Sequence, residues 1–238
     1  NYFHFLFDII TKLRIYQEYF DLSEVDYFYV PGTYHWQKKI LSLFDIKEDR
    51  LIDSNNFRHI NANEIVAIDH PWYRKGYVQQ EISYLPEWII IYLREKFLNL
   101  KKKFKASKKI FIDRSDSEYN HCKLINNQDI IEHLKSKGFE SYQVSKLDFF
   151  EQIFLFENAD IIISPHGAAL TNIIFSKPNL QLVELIPNNH DSVKCQRISK
   201  ILNFNYKRIN LKQIDPSGVD GDIRIEISEL NKILQSLD

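Results

Sequence analysis

Apolar and polar positions alternate along the chain between helical and strand-like spacings, with no internal repeat and no Pro/Gly/Ser-rich linker, the rhythm of an α/β protein. Residues 2–20 carry a helical pattern, 27–30 a strand, 34–44 a helix, and 51–52 and 65–68 short strands. A polar stretch over 69–84 leads to a strongly apolar helix at 86–100, with Pro86 in its first turn. Beyond it, strands at 110–113, 141–144, 161–163, 180–185 and 206–209 alternate with helices at 127–136, 149–158, 168–175 and 192–202. Strands separated by helices of this length read as one parallel, Rossmann-like sheet. A loop through Asp215, Pro216, Ser217 and Gly218 precedes a last helix at 227–237, whose apolar face is expected to pack back on the body. The organisation expected is an N-terminal lobe over 1–84, a C-terminal lobe over 85–212 and a tail over 213–238.

The 238 residues are 44% hydrophobic and 14% aromatic with only 6 glycines, enough apolar surface for a sizeable core and against disorder. A net charge of -1 gives no global field for a nucleic acid, so an anionic ligand has to be bound by local groups. The two cysteines, Cys122 and Cys195, lack metal-type spacing and suit a reducing compartment, which makes the cytoplasm the expected location. No apolar run approaches the roughly 20 residues of a membrane span, and no signal peptide is visible. The chain starts at Asn1 and contains no methionine, as expected of a trimmed fragment or of a sequence from which selenomethionines have dropped out.

Three strand ends carry candidate chemistry. The segment Ile161-Ile162-Ile163-Ser164-Pro165-His166-Gly167-Ala168-Ala169-Leu170-Thr171-Asn172 reads as a buried strand, a tight turn and a helix start. Ligands of parallel sheets sit at such ends, where Gly167, Ala168 and Ala169 allow close approach to the backbone and His166 could donate to a phosphate or sugar oxygen. The alternative is a core histidine capping the turn. Arg114, after Phe111-Ile112-Asp113, could clamp a diphosphate or pair with Asp113 or Asp116. Glu184 interrupts an apolar strand and needs partners, either ribose hydroxyls or an internal ion pair. There is no G-x-G-x-x-G and no P-loop to support a dinucleotide or NTPase reading.

In the first helix His4, Asp8, Thr11 and Lys12 fall in one polar stripe expected to face a cleft. His4 and Asp8, one turn apart, could form a base with its orienting carboxylate, or a solvated i,i+4 pair. Asp69-His70 is a second acid–histidine pair, placed at a strand end. His35, His59, His121, His133 and His190 read as ordinary. The lysine run Lys101, Lys102, Lys103, Lys105, Lys108 and Lys109 reads as a solvated connector or as a weak contact with an anionic membrane surface.

These residues together resemble the glycosyltransferase 61 family, which includes β-1,2-xylosyltransferases, O-linked N-acetylglucosaminyltransferases and bacterial capsule or lipopolysaccharide enzymes. The opening Asn1-Tyr2-Phe3-His4-Phe5-Leu6-Phe7-Asp8 resembles the family's N-Y-x-H-W-l-x-D, and Phe111–Ser115 its strand ending in Arg-Ser or Arg-Arg. Asn126, Gly138-Phe139-Glu140, Glu151-Gln152-Ile153 and Ala159-Asp160 follow in the family's order. The most specific element is Pro165-His166-Gly167-Ala168-Ala169-Leu170-Thr171-Asn172, and Glu184 matches its V-E-L/I-x-P strand. The chain departs at Asn127, where an acid is usual, and at Lys123, where an arginine is common.

The resemblance implies a GT-B-like pair of Rossmann-type lobes, with the N-terminal lobe abbreviated. It also implies a nucleotide-sugar donor in the C-terminal lobe as a substrate, no cofactor, inversion at the anomeric carbon and no obligatory metal. Donor binding is expected of Arg114, His166, Gly167, Ala168, Ala169, Thr171, Asn172 and Glu184, and base catalysis of His4 with Asp8, then Asp69 or His70. A UDP-sugar is the favoured donor, and a glycan or glycolipid the expected acceptor, in surface polysaccharide synthesis. A non-catalytic nucleotide-sugar- or glycan-binding module, or a nucleotide-dependent transferase without sugar chemistry, are the alternatives.

Overall fold

The computed structural model describes residues 2–32, 34–117, 122–214 and 221–237. Asn1, His121 and the loop expected at Asp215–Gly218 lie outside the described residues. The chain forms two compact units, Asn1–Gly76 and Tyr77–Asp238.

The first unit opens with one continuous helical run: an α-turn at Tyr2–His4, a π-helical stretch at Phe5–Ile10 and an α-helix at Thr11–Gln17. Phe5, Leu6, Phe7 and Ile10 are buried, as their apolar density requires. Of the expected polar stripe, His4 is exposed and Asp8 and Lys12 are partly buried, whereas Thr11 leaves it. Thr11 turns inward, fully buried, and its hydroxyl donates to the Phe7 carbonyl. Strand β1 (Phe28–Val30) pairs in parallel with β2 (Leu51–Asp53) across the helix His35–Ser42, whose Tyr34 and Gln37 form a reciprocal cap. The strand expected at 65–68 is absent: these residues are irregular, the small sheet consists of β1 and β2 alone, and Ile65 and Val66 are exposed.

In the second unit the stretch expected to be a polar connection contains a short helix, Val78–Ser83, which precedes the apolar helix Glu87–Phe97. Five parallel strands follow: β3 (Lys109–Ile112), β4 (Glu140–Tyr142), β5 (Ile161–Pro165), β6 (Gln181–Pro187) and β7 (Asn205–Leu211). Their spatial order is β4-β3-β5-β6-β7. The sheet is buried on both faces, so its central strands are nearly all apolar. Period two divides them. Phe111, Ile161, Ile163, Val183 and Leu185 meet the helices Asn127–Ser136 and Ile227–Gln235, with Leu230, Ile233 and Leu237 of the tail in the same core. Ile110, Ile112, Ile162, Leu182 and Glu184 have the opposite phase.

Four of the six lysines of the run are engaged, and Lys103 and Lys105 are exposed. Lys101 pairs with Glu157 at 2.9 Å, Lys102 with Glu151 at 2.6 Å, and Lys108 donates to the Asn158 carbonyl at 2.8 Å, all on the helix Phe149–Asn158. Lys109 lies over the Phe139 ring. Among the described residues no helix is long and apolar enough to cross a membrane.

Candidate active site

In an open parallel sheet a ligand crevice forms beyond the carboxyl ends of the strands where the strand order reverses. Here β3 is followed in the chain by β4 on one side and, after the next crossover, by β5 on the other, so the reversal lies between β3 and β5. Arg114 stands two residues past β3, and His166 and Gly167 come directly after β5. The sheet topology therefore brings these sequence candidates to the one edge where a crevice is expected.

The turn after β5 is closely packed around the arginine. Arg114 is 8% exposed; its Nη1 donates to the His166 carbonyl and its Nη2 to Ser117 Oγ at 3.4 Å. A β-carbon on Gly167 would lie 2.4 Å from the Arg114 Cζ, so the guanidinium occupies the space of a side chain there. Burial pulls the Arg114 pKa down, with attraction from Cys122 and Asp116 opposing it. Asp113, the neighbour considered as a partner, accepts from Ser115 N at 2.9 Å, Asn127 Nδ2 at 2.8 Å and Gln143 Nε2 at 3.0 Å. Asn127 is thus a donor to Asp113.

His166 and Glu184 form a buried pair. His166 Nδ1 lies 2.6 Å from Glu184 Oε1, and Tyr206 donates its hydroxyl to Glu184 Oε2 at 2.5 Å. Burial alone would raise the Glu184 pKa, but hydrogen bonds from His166, Tyr206 and Cys195 outweigh it and hold the carboxyl below its ordinary value. Burial holds His166 below its ordinary 6.5 against the pull of Glu184. An ionised carboxylate only accepts, so the neutral imidazole carries its proton on Nδ1 and directs Nε2 away from Glu184. Of the two readings open for Glu184, the structure shows the internal pair: the side chain is 1% exposed and both oxygens are engaged.

The remaining turn residues separate. Ala168 is exposed and Ala169 half-buried at the start of a 3₁₀ segment, Ala168–Phe175, where an ordinary helix was expected. Thr171 and Asn172 are fully buried inside that segment, and Asn172 donates to Gln152 Oε1 at 3.0 Å, fastening the segment to the helix Phe149–Asn158.

The structure adds a residue that sequence reasoning passed over. Lys194, 8% exposed, begins the helix Lys194–Leu202 and donates from Nζ to the Gly167 carbonyl at 3.2 Å. Arg208 on β7 holds the preceding loop by donating to the His190 and Ser192 carbonyls, and the His190 ring lies 4.4 Å from that of His166. The available signal was a lysine in phase with Ile198 on the apolar face of an amphipathic helix.

Within the first unit, the two acid–histidine candidates merge into one cluster. Asp8 Oδ2 lies 2.7 Å from His4 Nδ1 and 3.4 Å from His70 Nε2, while Trp72 Nε1 donates to Oδ1 at 2.7 Å. The Tyr73 amide donates to His70 Nδ1 at 2.9 Å, so a neutral His70 carries its proton on Nε2, facing Asp8. Asp69 is exposed and does not join the cluster. His4 is half-exposed, and its Nδ1 contact with Asp8 leaves Nε2 on the far side of the ring. The cluster was only half legible, because the approach of residues 70–72 to Asp8 is a tertiary event.

The family profile described as Glycosyltransferase 61 matches residues 2–183, most of the chain, spanning the first unit and part of the second. No curated protein matches it.

Proposed function

The chain belongs to the glycosyltransferase 61 family, and from that premise we propose that it transfers a sugar from a nucleoside-diphosphate donor, a UDP-sugar by preference, to a hydroxyl of a glycan or glycolipid acceptor, with inversion and without a metal ion. The observation that carries this reading is the buried Arg114 guanidinium packed on the His166–Gly167 turn at the order reversal of a parallel sheet.

In this reading the acceptor oxygen forms a bond to the anomeric carbon as the bond from that carbon to the β-phosphate oxygen breaks. The electron pair leaves with the diphosphate, and the acceptor proton passes to a base. Arg114 and the amides of the Gly167–Ala169 turn meet the growing charge, where preorganised donors are most effective. Glu184 and Tyr206 act on His166, fixing its tautomer, and Thr171 and Asn172 brace the turn. For the base the hydrogen bonds favour His4, oriented by Asp8. His70 holds Asp8 from its other face, and Trp72 takes the second carboxylate oxygen. A role in surface polysaccharide synthesis fits this donor and acceptor chemistry.

The test is a panel of nucleotide sugars offered to the purified chain with oligosaccharide acceptors, the products being read by mass spectrometry. One donor is expected to yield a glycosylated product and an equivalent of nucleoside diphosphate. Binding of a donor without turnover would instead support a non-catalytic module.

A further inference from the structure

Burying a lysine ammonium is costly, and an apolar side chain would serve the packing of an amphipathic helix better. Lys194 nevertheless occupies the inner face of its helix beside Cys195 and Ile198, 8% exposed. Its position is specified from several directions. Arg208 clamps the loop that delivers it, Ser192 N donates to His190 Nδ1 at 3.1 Å within that loop, and Val193 N donates to Gln79 Oε1 at 3.4 Å. The ammonium ends on the Gly167 carbonyl at 3.2 Å, and the Arg114 guanidinium ends on the carbonyl one residue earlier, that of His166. Two cations from different elements thus converge on consecutive peptide units of one turn. Burial disfavours the charge on Lys194 and Arg114 repels it, while attraction to Cys195 and Glu184 opposes both. A buried ammonium held this way on a backbone carbonyl, next to a buried guanidinium, is the kind of costly arrangement that functional sites carry. Lys194 lies beyond residue 183, outside the segment that the family profile matches.

We propose that Lys194 is a second cation of the leaving-group site, binding the diphosphate jointly with Arg114. This rests on the donor reading above and extends it. Arg114 supplies a planar fork for two oxygens, and Lys194 a compact point charge. When the bond from the anomeric carbon to the β-phosphate oxygen breaks, the electron pair that remains on that oxygen raises the charge facing both groups.

The test uses the full chain and inorganic pyrophosphate, which carries the shared diphosphate chemistry without a base or sugar. Thermal unfolding is followed with and without pyrophosphate for the wild type, Lys194→Met and Lys194→Gln. The proposal expects pyrophosphate to stabilise the wild type and both variants to bind it about tenfold to a hundredfold more weakly. It also expects Lys194→Met to unfold no earlier than the wild type without ligand, since an apolar side chain removes a buried charge. Equal stabilisation of wild type and variants, or a Met variant that melts well below the wild type, overturns the role of Lys194 and leaves the donor site standing. A wild type stabilised neither by pyrophosphate nor by any nucleoside diphosphate overturns the donor reading, and this inference with it.

Discussion

At the scale of single residues, the buried His166–Glu184 pair gives the site a pH signature. Both groups have folded-state pKa values below their unfolded ones, His166 below 6.5 and Glu184 below 4.5. The unfolded chain therefore binds more protons than the folded one as pH falls through these ranges, and stability is lost toward acid. Thermal melts between pH 8 and 5 are expected to show a falling midpoint in the wild type and a flatter dependence in His166→Gln, which no longer titrates there. His166 and Glu184 were legible because each is a polar residue in an apolar strand context. Their mutual contact was not, since they are brought together only by the β5–β6 register, which sets Ser164 opposite Glu184. Lys194 was missed because a lysine at the start of a helix ordinarily points to water, and only the packing of the helix on the turn excludes that.

At the scale of elements, the turn after β5 depends on glycine for space rather than for backbone freedom. Gly167 has φ of 164°, an extended conformation that alanine also adopts, but an added β-carbon would meet the end of the Arg114 side chain. The flexible side chain gives way before the backbone does. Gly167→Ala is thus expected to change stability by less than about 1 kcal/mol, while nucleoside diphosphate affinity drops at least tenfold as the guanidinium is displaced. Melting and titration of the same sample separate the two effects. The five strands of the second unit were legible because long apolar runs between amphipathic helices have few other solutions. The short strand expected at 65–68 failed because the packing leaves Ile65 and Val66 exposed, and four apolar residues hold a strand only when they are buried and paired. The first helix ends at Gln17 and keeps His4, Asp8 and Lys12 at least partly exposed, while Thr11, just past the π stretch at Phe5–Ile10, turns inward.

At the scale of the whole molecule, the proposed donor residues lie in the unit Tyr77–Asp238 and the proposed base, His4, in the unit Asn1–Gly76. Variants of the two units should then differ in kind. His4→Gln is expected to lower kcat about a hundredfold or more while the donor KM stays near the wild-type value, as for removal of a positioned base. Equal loss of donor binding in that variant would place His4 with the donor instead. The strand order that creates the crevice could be anticipated only as a class, parallel and Rossmann-like; the reversal between β3 and β5 is a property of the assembled sheet. The most direct measurement of the central claim is calorimetric titration of UDP and other nucleoside diphosphates into the full chain and into Arg114→Ala. The account predicts that at least one diphosphate binds the wild type, that its nucleoside alone does not, and that Arg114→Ala binds it tenfold or more weakly. Undiminished binding by Arg114→Ala would contradict it.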